Sequence, residues 1–565
     1  MRSSRSLFCV ALALMLLVSI GGAMAQEQEE AKWEPWGPHV DEIFMPIYSN
    51  YGSQISAFQR GELDVMPGMT GSGDVVRVKE TPNTDIVTNY GFHMYYLCLN
   101  TKRAPLNADP LRQAIAHLVD RDRIVSEVLQ GYVLPLAYFL PPSCAFHMNN
   151  LPAPAYDPGK AAEVLDSAGY KMDIATKTRR DPATGRPMRE MRILAASSSV
   201  GPDIGRILEE ACWSIGVPVK TAIVDFNTLV QRIDKRDFDM FFLATNMDQR
   251  GTSLYDFFHS SQDLAGSDNR SGIRDAELDR ALETLYYALD LETARGAAGE
   301  AQLLLSKRVP LIPIYSRPHI DAFRSDRFTG YVPMDGEGAA KNMWTLLGIR
   351  PTSGTGGVLR WPLTAEPSTL NPCTLTTAYE REVLTKIIDS LMATDPVTLE
   401  DIPWMAREWE IGTWEPAKDK RGTVITWHLR DGILWQDGEP FTSADIKFTI
   451  EYLKKYKVPN FAKNVQDIVK VETPDRVTAR VYFSTESSEH LYHADLCFLP
   501  EHIWKSVWNY KTFSPWQQRH PKVKDLTRLI GTGPFILKEF SPGKHVRLVK
   551  NPLYWRLNPP DGAEN

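Results

Sequence analysis

The residue types that carry covalent or metal chemistry stand apart along this chain. Its 12 histidines do not fall at metal-ligand spacings, and His117, His319 and His428 each read as ordinary strand or helix positions. The sequence holds no G-x-S-x-G, no H-E-x-x-H and no glycine-rich phosphate loop of the G-x-x-x-x-G-K-[ST] type. Asp237 and Asp239 are paired carboxylates, but they lie in a polar turn and read as solvated. Of the six cysteines, Cys9 sits in an N-terminal apolar run. The other five, Cys98, Cys144, Cys212, Cys373 and Cys497, are scattered without a C-x-x-C pair. Neither a zinc site nor a disulfide scaffold is indicated, and one or two bridges or buried free thiols stay equally open. These residues offer no catalytic, zinc or phosphate-binding motif of the kinds named.

At 565 residues the chain exceeds one compact core, so about two to four domains or subdomains are expected. Hydrophobic content of 43% and charged content of 24% describe an ordinary globular composition. A net charge of -7 argues against nucleic acid as a partner, which wants a basic surface. The N-terminus adds a destination. Arg2 and Arg5 precede the apolar run Leu7 to Ile20, and Ala23-Met24-Ala25 offers the small residues a signal peptidase reads. That run is too short for a membrane span of about 20 residues. A cleaved secretory signal over 1–25 is expected, with a flexible segment over 26–37 and an exported, extracytoplasmic protein in the periplasm or at the cell surface.

Helix caps and strand patterns set the scaffold. "DPLRQAIAHLVDRDRIVSEVLQG" predicts one helix with Asp109 at the N-cap, Pro110 at N1 and Gly131 as its stop. "YDPGKAAEVLDSAGY" repeats the device with Asp157, Pro158 and Gly169, and "FTSADIKFTIEYLKKY" carries Thr442 and Asp445 at capping-box spacing. Strand patterns at 422–429, 477–484 and 545–550 alternate with these helices, which makes the class α/β or mixed. "RPTSGTGG", 350–357, is small and polar and reads as a linker between two long stretches.

Several segments resemble the extracellular solute-binding proteins of ABC importers, family 5, which includes dipeptide- and oligopeptide-binding proteins. "WHLRDGILWQDGEPFTSADIKFTIEYL" is similar to that family's strand, Asp-Gly turn and capped helix, and "IGTGPFILKEFSPGKHVRLVKNPLYW" to its second hallmark. "AFQRGELDV", "LRQAIAHLVDRDRIVSEVLQGY", "YDPGKAAEVLDSAGY" and "VPLIPIYSRPHIDAFRSDRFTGY" resemble its later segments, and "PSTLNP" the exit of its first strand. The order differs from the family's: there the segments resembling 358–565 come first and those resembling 38–345 follow. The sequence resembles a circular permutant opened at the turn after "NPLYW", with "GPHVDEIFMPIY" as the strand that would have followed. A swapped dimer or a fusion of fragments is the alternative origin, with a monomer expected from the permutant.

The resemblance implies a two-lobed, type II periplasmic-binding-protein-like α/β clamshell with an extra subdomain. One lobe would combine 38–90, 316–349 and 358–565, including a subdomain near 400–525; the other would be 91–315. The chain would cross between them near 88–93 and 313–318. It implies a binding protein, not an enzyme, that closes on a short peptide and delivers it to membrane permease subunits. Peptide-binding members hold the ligand's amino group on an Asp in a Trp-x-x-Asp segment. The matching stretch is "FFLATNMDQRGTSLYDFFHSS", with Thr245 or Ala244 in place of Trp and Met247 or Asp248 at the Asp position. Asp248 could bond an ammonium, Arg250 could meet a carboxylate bidentately, and Asn246, Thr377, Tyr379, Phe92 and Tyr95 are further cleft candidates. The alternatives are a nickel complex, oligosaccharide or haem in the same fold, an exported hydrolase, or a non-transport binding or sensory module.

Overall fold

The computed structural model describes residues 36–558, apart from 49, 70, 71, 152, 198, 265, 266, 376 and 419; the signal segment therefore lies outside the described residues. Among the described residues, seven sheets and interleaved helices make a mixed α/β protein. Two assemblies organise it. The first holds a four-stranded sheet in the order Val358–Arg360, Glu42–Pro46, His545–Lys550, Phe535–Ser541. Beside it lies a three-stranded sheet of Val65–Met66, His319–Arg324 and Thr84–Asn89. The second assembly is built on six strands, with His93–Leu99 between Leu311–Ser316 and Met240–Asn246.

Strand Glu42–Pro46 shows why the first sheet is continuous. Its pattern places Ile43 and Met45 on one face, and both are fully buried with Leu359, Val546 and Leu548. It pairs antiparallel from Glu42 opposite Val549 to Pro46 opposite His545, and parallel to 358–360 on its other edge. Arg547 grips Glu42 with two bonds of 2.9 and 2.8 Å, and Gly37 N–H donates to the Arg556 carbonyl at 3.0 Å. Strands Glu42–Pro46 and His545–Lys550, far apart in sequence, are thus neighbours in one sheet. The stretch 350–357 is ordered: Arg350–Pro351 pairs with Phe328–Thr329, and Gly357 N–H donates to Asp41 at 2.9 Å. Gly356 and Gly357 adopt φ of 74° and 85°, the left-handed turn that only glycine takes freely.

A four-stranded antiparallel sheet, Ala406–Ala417, Lys420–Leu429, Thr478–Phe483 and Ile468–Asp475, carries the helix Ser443–Tyr456. That helix starts with the reciprocal Thr442–Asp445 box expected from the sequence. Asp157 likewise caps Pro158–Ser167. The expected single helix over 109–131 is instead two. Asp109–Ala116 ends at His117, and Asp120 caps a second start at Arg121–Arg123 that widens into a π turn over Ile124–Val128. Asp109 is the first helical residue rather than the cap, and its carboxylate holds Arg112 at 2.6 Å. All five described cysteines are free thiols, and burial pushes each thiol's pKa up. No described helix is long and apolar enough to cross a membrane.

Candidate functional site

Two chain crossings join the assemblies. Asn89 stands opposite His319 in the three-stranded sheet, and Tyr95 opposite Tyr315 in the six-stranded one. The crossings therefore fall at 89–93 and 316–319. Two cavities of about 430 and 380 Å³ flank them and share Tyr132, Val133, Pro318 and Ile320. The first lobe contributes Met69, Val75 and Lys79, and the second Leu129, Gln130 and Tyr315. Arg317, at the crossing itself, lines the smaller cavity and has no ion-pair partner among the described residues. Beside it burial, aided by the Arg317 charge, holds His93 neutral with a pKa lowered to about 4, and burial raises the phenols of Tyr95 and Tyr315. A guanidinium in such a setting has the geometry to bond a carboxylate bidentately.

Further out the lobes touch through side chains. Arg250 meets Asp401 at 2.5 Å, both almost wholly buried, and lies 3.8 Å over the ring of Tyr492, whose hydroxyl donates to Asp401 at 2.6 Å. Burial still raises the pKa of Asp401, against the pull of Arg250. Gln249 Nε2 donates to Thr394 Oγ1 at 3.0 Å and to the Leu399 carbonyl at 3.2 Å, and Arg295 pairs with Glu400 at 2.6 Å in the open.

The residues singled out in the sequence divide between these places. Asn246 ends its strand exposed, opposite His93, and Met247 N–H donates to the Phe92 carbonyl at 2.9 Å. Phe92 packs against Gly336, whose φ of 92° and missing Cβ allow the ring to approach. Tyr95 is buried and stacks on Tyr315 with centroids 4.8 Å apart. These three gather at the second lobe's crossing edge. Asp248 is occupied by its own loop: its carboxylate accepts the N–H groups of Arg250 and Thr252 at 3.0 Å and of Ser253 at 2.5 Å. Arg250 is turned to Asp401, leaving one guanidinium nitrogen without an acceptor. Thr377 caps the helix Ala378–Leu384 of the first lobe in a box with Glu380, and Tyr379 is exposed on its first turn.

One expectation is corrected: Asp239 is buried, not solvated. Its carboxylate takes Arg189 at 2.6 and 3.0 Å, Arg192 N–H at 2.9 Å and Arg103 at 3.1 Å, and these partners outweigh burial to lower its pKa. Distant histidines also meet in space, since Asp437 lies 2.8 Å from His502 and 2.9 Å from His520. His520 Nδ1 accepts the N–H groups of Lys522 and Val523, so Nε2 carries the proton and faces Asp437. The carboxylate lies between two imidazoles and hydrogen-bonds that of His502. Linear spacing gave no sign of it, nor of Arg317, which had no cue beyond its place in a crossing segment.

Against known proteins, the chain matches the bacterial extracellular solute-binding proteins, family 5 Middle, over residues 29–264 and 401–564. It is 26% identical over 262 residues to the oligopeptide-binding protein AppA of Bacillus subtilis (strain 168), covering 44% of this chain and 45% of that protein. To the dipeptide-binding protein of Escherichia coli (strain K12) it is 28% identical over 202 residues, 35% of each chain. The solved structure of the Bacillus subtilis AppA in complex with a nonapeptide aligns with a TM-score of 0.41 and 21% identity, over 54% of this chain and 59% of that one. The chain thus spans half or less of the length of these two curated relatives. With both hallmark segments matched, and with well over half of its residues inside the family's profile, the chain belongs to the bacterial extracellular solute-binding proteins, family 5.

Proposed function

We propose that this protein is the extracytoplasmic binding component of an ABC importer, taking short peptides between its two lobes and presenting them to the membrane permease. The observation that carries the reading is the pair of cavities at the crossing strands, walled by both lobes, with Arg317, which forms no ion pair among the described residues, at the edge of the smaller one. In this reading Arg317 receives the peptide's carboxylate. We assign Asn246, Phe92 and Tyr95 on the second lobe and Thr377 and Tyr379 on the first to the wider cleft, beyond the residues that line the two cavities. Asp248 shapes the loop that presents Arg250, whose spare nitrogen adds a donor at the far rim. The names of the relatives, which bind oligopeptides and dipeptides, support peptide as the solute class. No residue is required to do covalent chemistry. Export by a cleaved signal over 1–25 and a monomeric state complete the proposal.

The permuted segment order belongs to the same reading. The family profile matches in two separate blocks, and strand Glu42–Pro46 lies between strands from 358–360 and 545–550. A gene reordered as 358–558 followed by 36–349, joined at the Trp555 turn, should fold with the same melting temperature.

Calorimetric titration with di- to pentapeptides tests the function. Stoichiometric binding that weakens about 10- to 100-fold in Arg317→Ala is expected, the range for losing a charge-assisted hydrogen bond. Failure of every peptide to bind, or turnover of a bound peptide, overturns the reading.

A further inference from the structure

The first lobe carries a cavity of its own, about 240 Å³, between the segments 334–346 and 385–394. Its walls are the indoles of Trp344 and Trp361 with Met334, Met343 and Met392. Methionine walls adapt to varied carbon chains. The charges inside do not balance. Lys386 Nζ bonds Glu382 Oε1 at 3.0 Å and the Glu382 carbonyl at 2.9 Å, and it lies 4.5 Å over the Trp361 ring. Lys341 Nζ reaches the other Glu382 oxygen at 3.5 Å. Both lysines thus form their ion pairs with one carboxylate. Asp389 is satisfied by the indole of Trp404 at 2.6 Å, the hydroxyl of Tyr554 at 3.1 Å and the indole of Trp555 at 3.2 Å.

Glu337 is left over. It has no ion pair among the described residues, although it lines the cavity and its side chain is accessible. Partial desolvation against the cavity wall raises its pKa, with Glu382 adding to the rise and Lys341 and Arg381 opposing it. An accessible carboxylate that forms no ion pair at the mouth of an apolar pocket can accept a charge-assisted hydrogen bond from a ligand's cation. The rim is tied to the other lobe, because Thr394, whose carbonyl accepts Trp344 Nε1 at 2.8 Å, also holds Gln249.

We propose that this pocket binds an ammonium group, with Glu337 as its acceptor and the tryptophan and methionine walls holding the carbon chain that carries it. The inference rests on the solute-binding reading, and the ammonium is either a peptide's amino terminus or a free alkyl amine. Titration calorimetry of the full chain with trialanine, N-acetyl-trialanine and cadaverine, on wild type and Glu337→Gln, decides it. The variant should melt like wild type, since Glu337 is accessible and unpaired. For a peptide terminus, trialanine should weaken about 30-fold in Glu337→Gln, and N-acetylation should cost the wild type as much and the variant nothing. For a free amine, cadaverine should bind the wild type and lose about 30-fold in the variant while trialanine is indifferent. Trialanine bound equally by both proteins, with no cadaverine effect, removes Glu337 and leaves the solute-binding reading standing. No binding of any probe overturns both.

Discussion

Two places in this molecule bring together segments far apart in sequence, and they are built in opposite ways. At the first lobe's seam, Glu42–Pro46 is held on both edges by backbone ladders, with Ile43 and Met45 fully buried. At the lobe–lobe contact no ladder crosses. The ties are two guanidiniums, two carboxylates, one amide and one aromatic ring. A ladder with a buried face cannot slip without moving every side chain to the wrong side. Side-chain ties can break one at a time and re-form. The seam is permanent structure, while the contact is of the kind that opens, and two crossing strands give the rotation an axis.

The largest test strikes the seam. Ile43→Asp places an unpaired carboxylate in a fully buried position and should cost more than about 4 kcal/mol, unfolding the first lobe in urea at concentrations the wild type withstands. Next comes the contact. Arg250→Ala leaves Asp401 buried without its cation and should cost about 3 kcal/mol, with expansion of the molecule in scattering; Asp401→Asn on that background should recover much of it. If Arg250→Ala proved the more damaging of the two, the contrast between permanent seam and opening contact would fail.

A pH experiment probes the ground beneath the contact. Burial raises Asp389 to about 6 and Asp495 to about 7, and Asp495 accepts the N–H of Leu391, just before the strand Met392–Thr394. Their folded pKa values exceed the unfolded value of about 3.9, so the folded state binds the extra protons. Their contribution is whole below about pH 4 and drains away as pH rises through 6 to 7. Asp495→Asn should therefore be roughly 1 kcal/mol or more above wild type at pH 8 and level with it at pH 4. An unchanged difference between those pH values would show that Asp495 does not titrate there. The smallest effect is expected at the exposed Arg295–Glu400 pair, where Arg295→Ala should cost under about 0.5 kcal/mol and vanish in salt.

What the sequence made legible was local or family-wide. The Asp157 and Thr442 caps could be read because cap and capped amide lie three residues apart. The segment 109–131 misled because its apolar spacing runs on across Asp120, which restarts the helix. The strand at Glu42 and the crossings were legible through the resemblance. Arg317 and Glu337 were not, because a side chain's lack of a partner is a property of segments that meet only in the fold. Asp248 read as free for the same reason. Its amides arrive through a turn at Gly251, with φ of 75°, that no spacing rule announces.

Small-angle scattering of the purified protein, with and without a peptide shown by calorimetry to bind, tests the central claim most directly. Closure of two lobes on a solute predicts a smaller radius of gyration at saturation, lost when Arg317 is replaced by alanine. Saturating binding with an unchanged radius of gyration would contradict it.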